Sequence, residues 1–102
     1  MPQKQHYYGI IKPYRKDFII NPKQNEEKIM SDHFNYLKFL LKKNTLFLAG
    51  PTLIAEDPFG VIILETETEK EARDLLENDP SVKLGIQKIA DFRPIRLSLR
   101  RT

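Results

Sequence analysis

The stretch GVIILETETEKEARDLLENDP, residues 60–80, decides the fold. Val61 to Thr66 is a run of strand length with apolar residues on consecutive positions, which predicts a strand covered on both faces. Thr68-Glu69-Lys70-Glu71 then forms a capping box, in which a threonine hydroxyl and a glutamate three residues on serve each other's orphan amides. The box opens a helix whose inward stripe is Ala72, Leu75 and Leu76, and Pro80 bars its continuation. Strand and helix follow one another with almost no linker.

Toward the N-terminus, Thr45 to Ala49 is short and apolar and is closed by Gly50-Pro51, which predicts a strand. The segment Thr52 to Phe59 between the two strands reads as a loop. Before it, residues 25–43 carry a helical pattern. Asn25 is placed to cap it, Glu26 and Glu27 complement the positive end of the dipole, and Lys42 and Lys43 complement the negative end. Asn44 suits the left-handed residue that stops a helix. Tyr7 to Tyr14 is aromatic and β-branched enough for a first strand, and Asn21-Pro22 reads as a turn in the connection after it.

Toward the C-terminus, a tight segment ends at Gly85 and Ile86 to Phe92 reads as a fourth strand. Beyond it Ile95, Leu97 and Leu99 alternate with Arg96, Ser98 and Arg100, which predicts a fifth, half-exposed tail strand. The order is β-α-β-β-α-β plus that tail. This is an α+β, ferredoxin-like arrangement in which two helices cover one face of a four-stranded antiparallel sheet. The other face stays open, and the apolar third strand predicts that it meets a second subunit.

At 102 residues the chain suits one domain over 1–102. No apolar run approaches the roughly 18 residues a membrane span needs, and Lys12, Arg15 and Lys16 interrupt the early apolar patch before a signal peptide could form. A cytoplasmic protein is expected. Zero cysteines exclude disulfides, a thiol nucleophile and zinc–thiolate sites. Seventeen Lys and Arg against fourteen Asp and Glu give a net charge of +3, too scattered to outline a nucleic-acid footprint.

One residue breaks the pattern of the first helix. At 100° per residue, His33 falls inside the stripe made by Ile29, Met30, Leu37, Leu40 and Leu41. An imidazole buried there without a partner would cost about 1–3 kcal/mol, so a partner is expected. A backbone carbonyl or a water would make His33 a structural residue. A carboxylate would make it half of a reactive pair. The acidic candidate is Asp79 in ENDPSVKLG, near the negative end of the second helix, where an anion is disfavoured. Asp79 also reads as the cap of a short turn, with Pro80 at its first position and Gly85 terminating it.

Other chemistries are poorly served. Ser31, Ser81 and Ser98 lack the glycine-flanked turn of a serine hydrolase. His6 and His33 are the only imidazoles, so no metal site is expected. The four glycines are dispersed, and no phosphate loop or cofactor site is expected. An RNA-recognition module shares this strand order but places stacking rings on its central strands, where FGVIILE is aliphatic.

The combination of HFNYLKFLLKKNTLFLAGP, GVIILETETEKEARDLLENDP and VKLGIQKIADFRPIRL resembles the YCII-related family, from about Tyr8 to Leu97. The marks are helix-borne His33, Gly50-Pro51 after the second strand, Glu71-Ala72 opening the second helix, and Asp79-Pro80 followed by Gly85. The resemblance implies a dimeric α/β barrel and a cleft holding a His33–Asp79 pair, with Gly50, Pro51 and Pro80 around the substrate. It also implies acid–base lyase or isomerase chemistry on a small organic molecule, as in muconolactone isomerases and dehalogenases. Two positions depart from the family pattern: Met30 stands where an arginine is frequent, and Ser81 where an aromatic follows Asp-Pro. The alternative is a non-catalytic module that binds a small ligand or another protein, with His33 structural.

Overall fold

The computed structural model describes residues 4–15 and 23–101. The elements run β1 (Gln5–Pro13), α1 (Gln24–Lys42), β2 (Leu46–Pro51), β3 (Gly60–Thr66), α2 (Glu69–Glu77), α3 (Pro80–Lys83) and β4 (Gln87–Ile95). The strands form one antiparallel sheet in the order β2-β3-β1-β4, the α+β arrangement the sequence predicts. The Asn21-Pro22 turn lies outside the described residues.

Local chemistry explains most boundaries. Thr68 caps α2, its hydroxyl accepting from the Glu71 amide at 3.1 Å. Asn44 follows α1 at φ 61°, and Gly85 follows α3 at φ 81°, the left-handed region that favours Asn and Gly. Asn25 does not cap α1. The helix begins one residue earlier, after Lys23, because the Glu26 carboxylate reaches back to accept the Lys23 amide at 2.7 Å.

The core lies between the sheet and the helices. Tyr7, Ile11, Ile62 and Leu64 from the central strands meet Leu37 and Leu40 of α1 and Ala72 and Leu76 of α2. Full burial of each large side chain contributes about 1.5–3 kcal/mol. Gly9 lets α2 come close, since a Cβ there would lie 2.8 Å from the Leu76 Cδ1 atom. Leu41 is not part of the stripe; it is more than half exposed, while Leu40, about 100° away on the same turn, is buried in the core. No helix among the described residues is long and apolar enough to cross a membrane.

The tail is not a fifth strand. β4 continues through Pro94, paired with Tyr7, to Ile95, paired with His6, and no strand forms over 96–101. Proline is tolerated because β4 is an edge strand whose outward amides need no partner. Alternation in the tail had no neighbouring strand to act on.

One irregularity matters for the site. Ile10 pairs with Asp91 but Ile11 pairs with Ile89, so Ala90 is an extra residue in β4. A one-residue slip exchanges the two faces of a strand. Without it Lys88 would oppose Pro13 on the helix side. With it Gln87 takes that place, buried, and Lys88 is exposed.

Candidate active site

His33 sits in the middle of α1, and Asp79 sits at the start of α3, forty-six positions later. Chain break and helix packing bring them together: α2 ends at Glu77, Pro80 starts a new helical turn, and α3 packs against α1. His33 Nδ1 lies 2.6 Å from Asp79 Oδ2. The carboxylate is 1% exposed and the imidazole 15%, so the pair is shielded on one side and open on the other. A hydrogen bond to a charged group of this kind contributes about 1.5–3 kcal/mol.

The two sequence readings of Asp79 hold together. One oxygen, Oδ1, caps α3 by accepting the Ser81 amide at 2.8 Å, while the other faces the histidine. Since the carboxylate can only accept, Nδ1 carries the proton and donates to Oδ2. The tautomer is thereby set, and Nε2 of the neutral ring keeps its lone pair. Nε2 has no protein partner among the described residues and is not sealed from solvent.

His33 belongs to the wall of a cavity of about 560 Å³ between α1 and the sheet. Met30, His33, Phe34 and Leu37 of α1 form one side. Ala49, Gly50 and Pro51 at the end of β2, the loop to Phe59 and the start of β3 form the other. Buried Gln87 of β4 is also part of the wall. That loop is pinned at its base, where the Thr52 amide donates to the Phe59 carbonyl at 2.8 Å and the Thr52 hydroxyl accepts the Phe59 amide at 3.2 Å. Leu53 and Ile54 stand exposed at the mouth.

Gly50 and Pro51 therefore line the cavity. Pro80 does not; it is the first residue of α3, where its fixed φ and missing amide suit helix initiation. Asp79 also lies behind the wall rather than in it, joined to the lining residue His33 directly and to the lining residue Gln87 through Ser81.

The sequence reading missed Ser81 and Gln87. Ser81 is fully buried; its hydroxyl lies 2.8 Å from Asp79 Oδ1, 2.9 Å from Gln87 Oε1 and 3.4 Å from His33 Nδ1. The position two residues after a capping aspartate is the one signal that could have found the serine. Nearby, Tyr36 donates to the Leu75 carbonyl at 2.7 Å; burial pushes its phenol above the ordinary value, and the charge on Asp79 adds to the shift.

Against known proteins, the model of the YCII-related domain matches residues 7–96. Among solved structures, the chain is similar to the 5-chloro-2-hydroxyhydroquinone dehydrochlorinase of Burkholderia phenoliruptrix AC1100 in complex with 2,5-dihydroxybenzoquinone. That likeness has 25% identity and a TM-score of 0.59, and covers 88% of this chain and 91% of the other. No curated protein matches.

Proposed function

This chain belongs to the YCII-related domain family, and from that premise we propose that it is a lyase acting on a small organic molecule by acid–base chemistry at His33. The observation that carries the reading is a single one. An imidazole held by a buried carboxylate through one nitrogen, its other nitrogen without a protein partner, lines an apolar cavity of ligand size.

In this reading the ligand's reacting atom lies against Nε2. The lone pair takes a proton from the ligand, and the electron pair left behind moves into the ligand's frame and expels a leaving group as an anion. Proton on the ring and departing anion together make up the acid eliminated. Asp79 is a positioning residue: it holds the tautomer and stabilises the imidazolium while that exists. The step draws only on protons and electron pairs already present in ligand and imidazole, so it requires no cofactor. Halide elimination from a hydroxylated ring, by analogy with the solved neighbour, is the version favoured over isomerisation of a lactone acid. The described lining carries no cation to meet a carboxylate, and Met30 stands where an arginine would have supplied one.

The same proposal includes a homodimer. Tyr8 and the exposed Leu48 share the sheet face turned away from the helices, with exposed Ile95 at its β4 edge. A second copy packed face to face would cover them. Sedimentation showing a monomer at micromolar concentration would contradict this.

The activity test is chloride release from 5-chloro-2-hydroxyhydroquinone, measured above the uncatalysed background. The native protein should accelerate it, and His33→Gln should remove most of the acceleration while the protein stays folded. No acceleration, or acceleration that survives in the variant, would overturn the reading.

A further inference from the structure

The geometry points to Gln87 as the residue that selects the ligand: its carbonyl oxygen, turned to the cavity by the Ser81 hydroxyl, accepts a hydrogen bond from a hydroxyl group on an uncharged ring. This rests on the cavity being a ligand site, as proposed above, but not on any reaction taking place there.

Proton counting carries the argument. The Ser81 hydroxyl has one hydrogen and two close neighbours, Asp79 Oδ1 at 2.8 Å and Gln87 Oε1 at 2.9 Å. Two oxygens there would both be acceptors, and one proton cannot serve both. A buried carboxylate is the stronger claimant, because charge-assisted hydrogen bonds are about twice as strong as neutral ones. The serine therefore donates to Asp79, and the group it meets on Gln87 has to be a donor.

A half-turn of the carboxamide supplies one. Its two ends have nearly the same shape and are told apart by their partners. With the amide nitrogen against Ser81 Oγ, every contact in the chain has one donor and one acceptor. Gln87 donates to Ser81, Ser81 and the Ser81 amide donate to Oδ1, and His33 donates to Oδ2. The carbonyl end of Gln87 is then left without a protein partner, and it is not sealed from solvent.

Two polar atoms with capacity to spare then face the cavity, His33 Nε2 and Gln87 Oε1, and both are acceptors. Thr52, also in the wall, spends its hydroxyl on Phe59. A ligand that satisfies both has to bring two donors and no carboxylate. A flat ring with two hydroxyl groups meets that demand, and the apolar remainder of the wall suits its faces. The Ala90 bulge is part of the device, since without it a lysine would occupy the inward position.

The test is a binding titration followed by NMR, under argon, with hydroquinone, its mono- and dimethyl ethers, and para-hydroxybenzoate. The native protein should bind hydroquinone about tenfold or more tightly than the dimethyl ether, as expected for two lost hydrogen bonds, and para-hydroxybenzoate more weakly than hydroquinone. Gln87→Met keeps the length of the side chain and should narrow the first ratio to about threefold, the share of the single hydrogen bond left at His33. Ser81→Ala leaves the Asp79 cap on its backbone amide, should narrow the ratio in the same direction, and carries the test if Gln87→Met does not fold. An unchanged ratio in the folded variants, a dimethyl ether or benzoate that binds as tightly as hydroquinone, or no saturable binding at all would overturn the inference. Selective binding without chloride release would overturn the proposed reaction and leave this inference standing.

Discussion

Helix α1 is tied down twice by a buried carboxylate, and the two attachments differ in what they leave over. At its first turn Glu26, 1% exposed, accepts from Arg15, from the Tyr14 hydroxyl and from the Lys23 amide. Seven residues on, about two turns along the same face, His33 meets Asp79, also 1% exposed. The first ties α1 to the residues just after β1, and the second ties it to the start of α3, forty-six positions on. At Glu26 the carboxylate is met from both oxygens and no atom of it is turned to the cavity. At His33 the pairing ends in a ring with a second, unpartnered nitrogen, and that ring lines the cavity. A buried carboxylate is thus no sign of function by itself; unfinished hydrogen-bonding capacity facing a ligand-sized space is.

The strongest way to break this comparison is to remove the open nitrogen. His33→Gln should cut chloride release by about 10²–10⁴-fold, the usual contribution of a positioned acid or base. The thermal midpoint should move little, because glutamine can still donate to Asp79. A variant that unfolds instead would put His33 with Glu26 among the structural attachments.

Asp79→Asn comes next. It removes the charge that fixes the ring and puts an amide where Ser81 or His33 expects an acceptor. Unfolding in urea should show a loss of about 1–3 kcal/mol, and the residual rate should lie between those of native and His33→Gln. Full native activity would separate Asp79 from the chemistry.

At Glu26 the effect should fall on stability alone. The Arg15 guanidinium holds its carboxyl down at about 2, with the Lys23 amide and Tyr14 hydroxyl acting in the same direction. A depressed carboxyl stabilises the fold above its ordinary value near 4.5 and loses that contribution as the pH falls toward about 2. Urea midpoints measured across that window should fall steeply for the native protein and less so for Glu26→Gln, with chloride release at neutral pH unchanged. A changed rate would mean that the two attachments are not independent.

The smallest effect belongs to Lys28 and Asp32, an exposed pair 3.0 Å apart on the same helix. Asp32→Asn should change stability by no more than about 0.5 kcal/mol. A larger loss would show that burial is not what separates these charge pairs.

Much of the fold was legible because it rests on local rules. Thr68, Asn44 and Gly85 mark boundaries through backbone chemistry that each residue type carries with it. The tail strand and Leu41 were misread because alternation and helical phase say which side chains could be buried, not whether a neighbour is there. The meeting of His33 and Asp79 could be posed from sequence but not decided, since capping alone accounts for the aspartate. Gln87 was out of reach, because a single extra residue at Ala90 reverses which of Gln87 and Lys88 faces inward. Its signal is a register, and register appears only when strands pair.

The central claim is that His33 presents Nε2 as an open acceptor because Asp79 holds the proton on Nδ1. Nitrogen-15 chemical shifts of the His33 ring read this directly. For the neutral ring the native protein should show Nδ1 protonated and Nε2 bare, with the Nε2 resonance moving when hydroquinone is added and the tautomers mixing in Asp79→Asn. A native ring protonated at Nε2, or an Nε2 signal indifferent to every ligand, would contradict it.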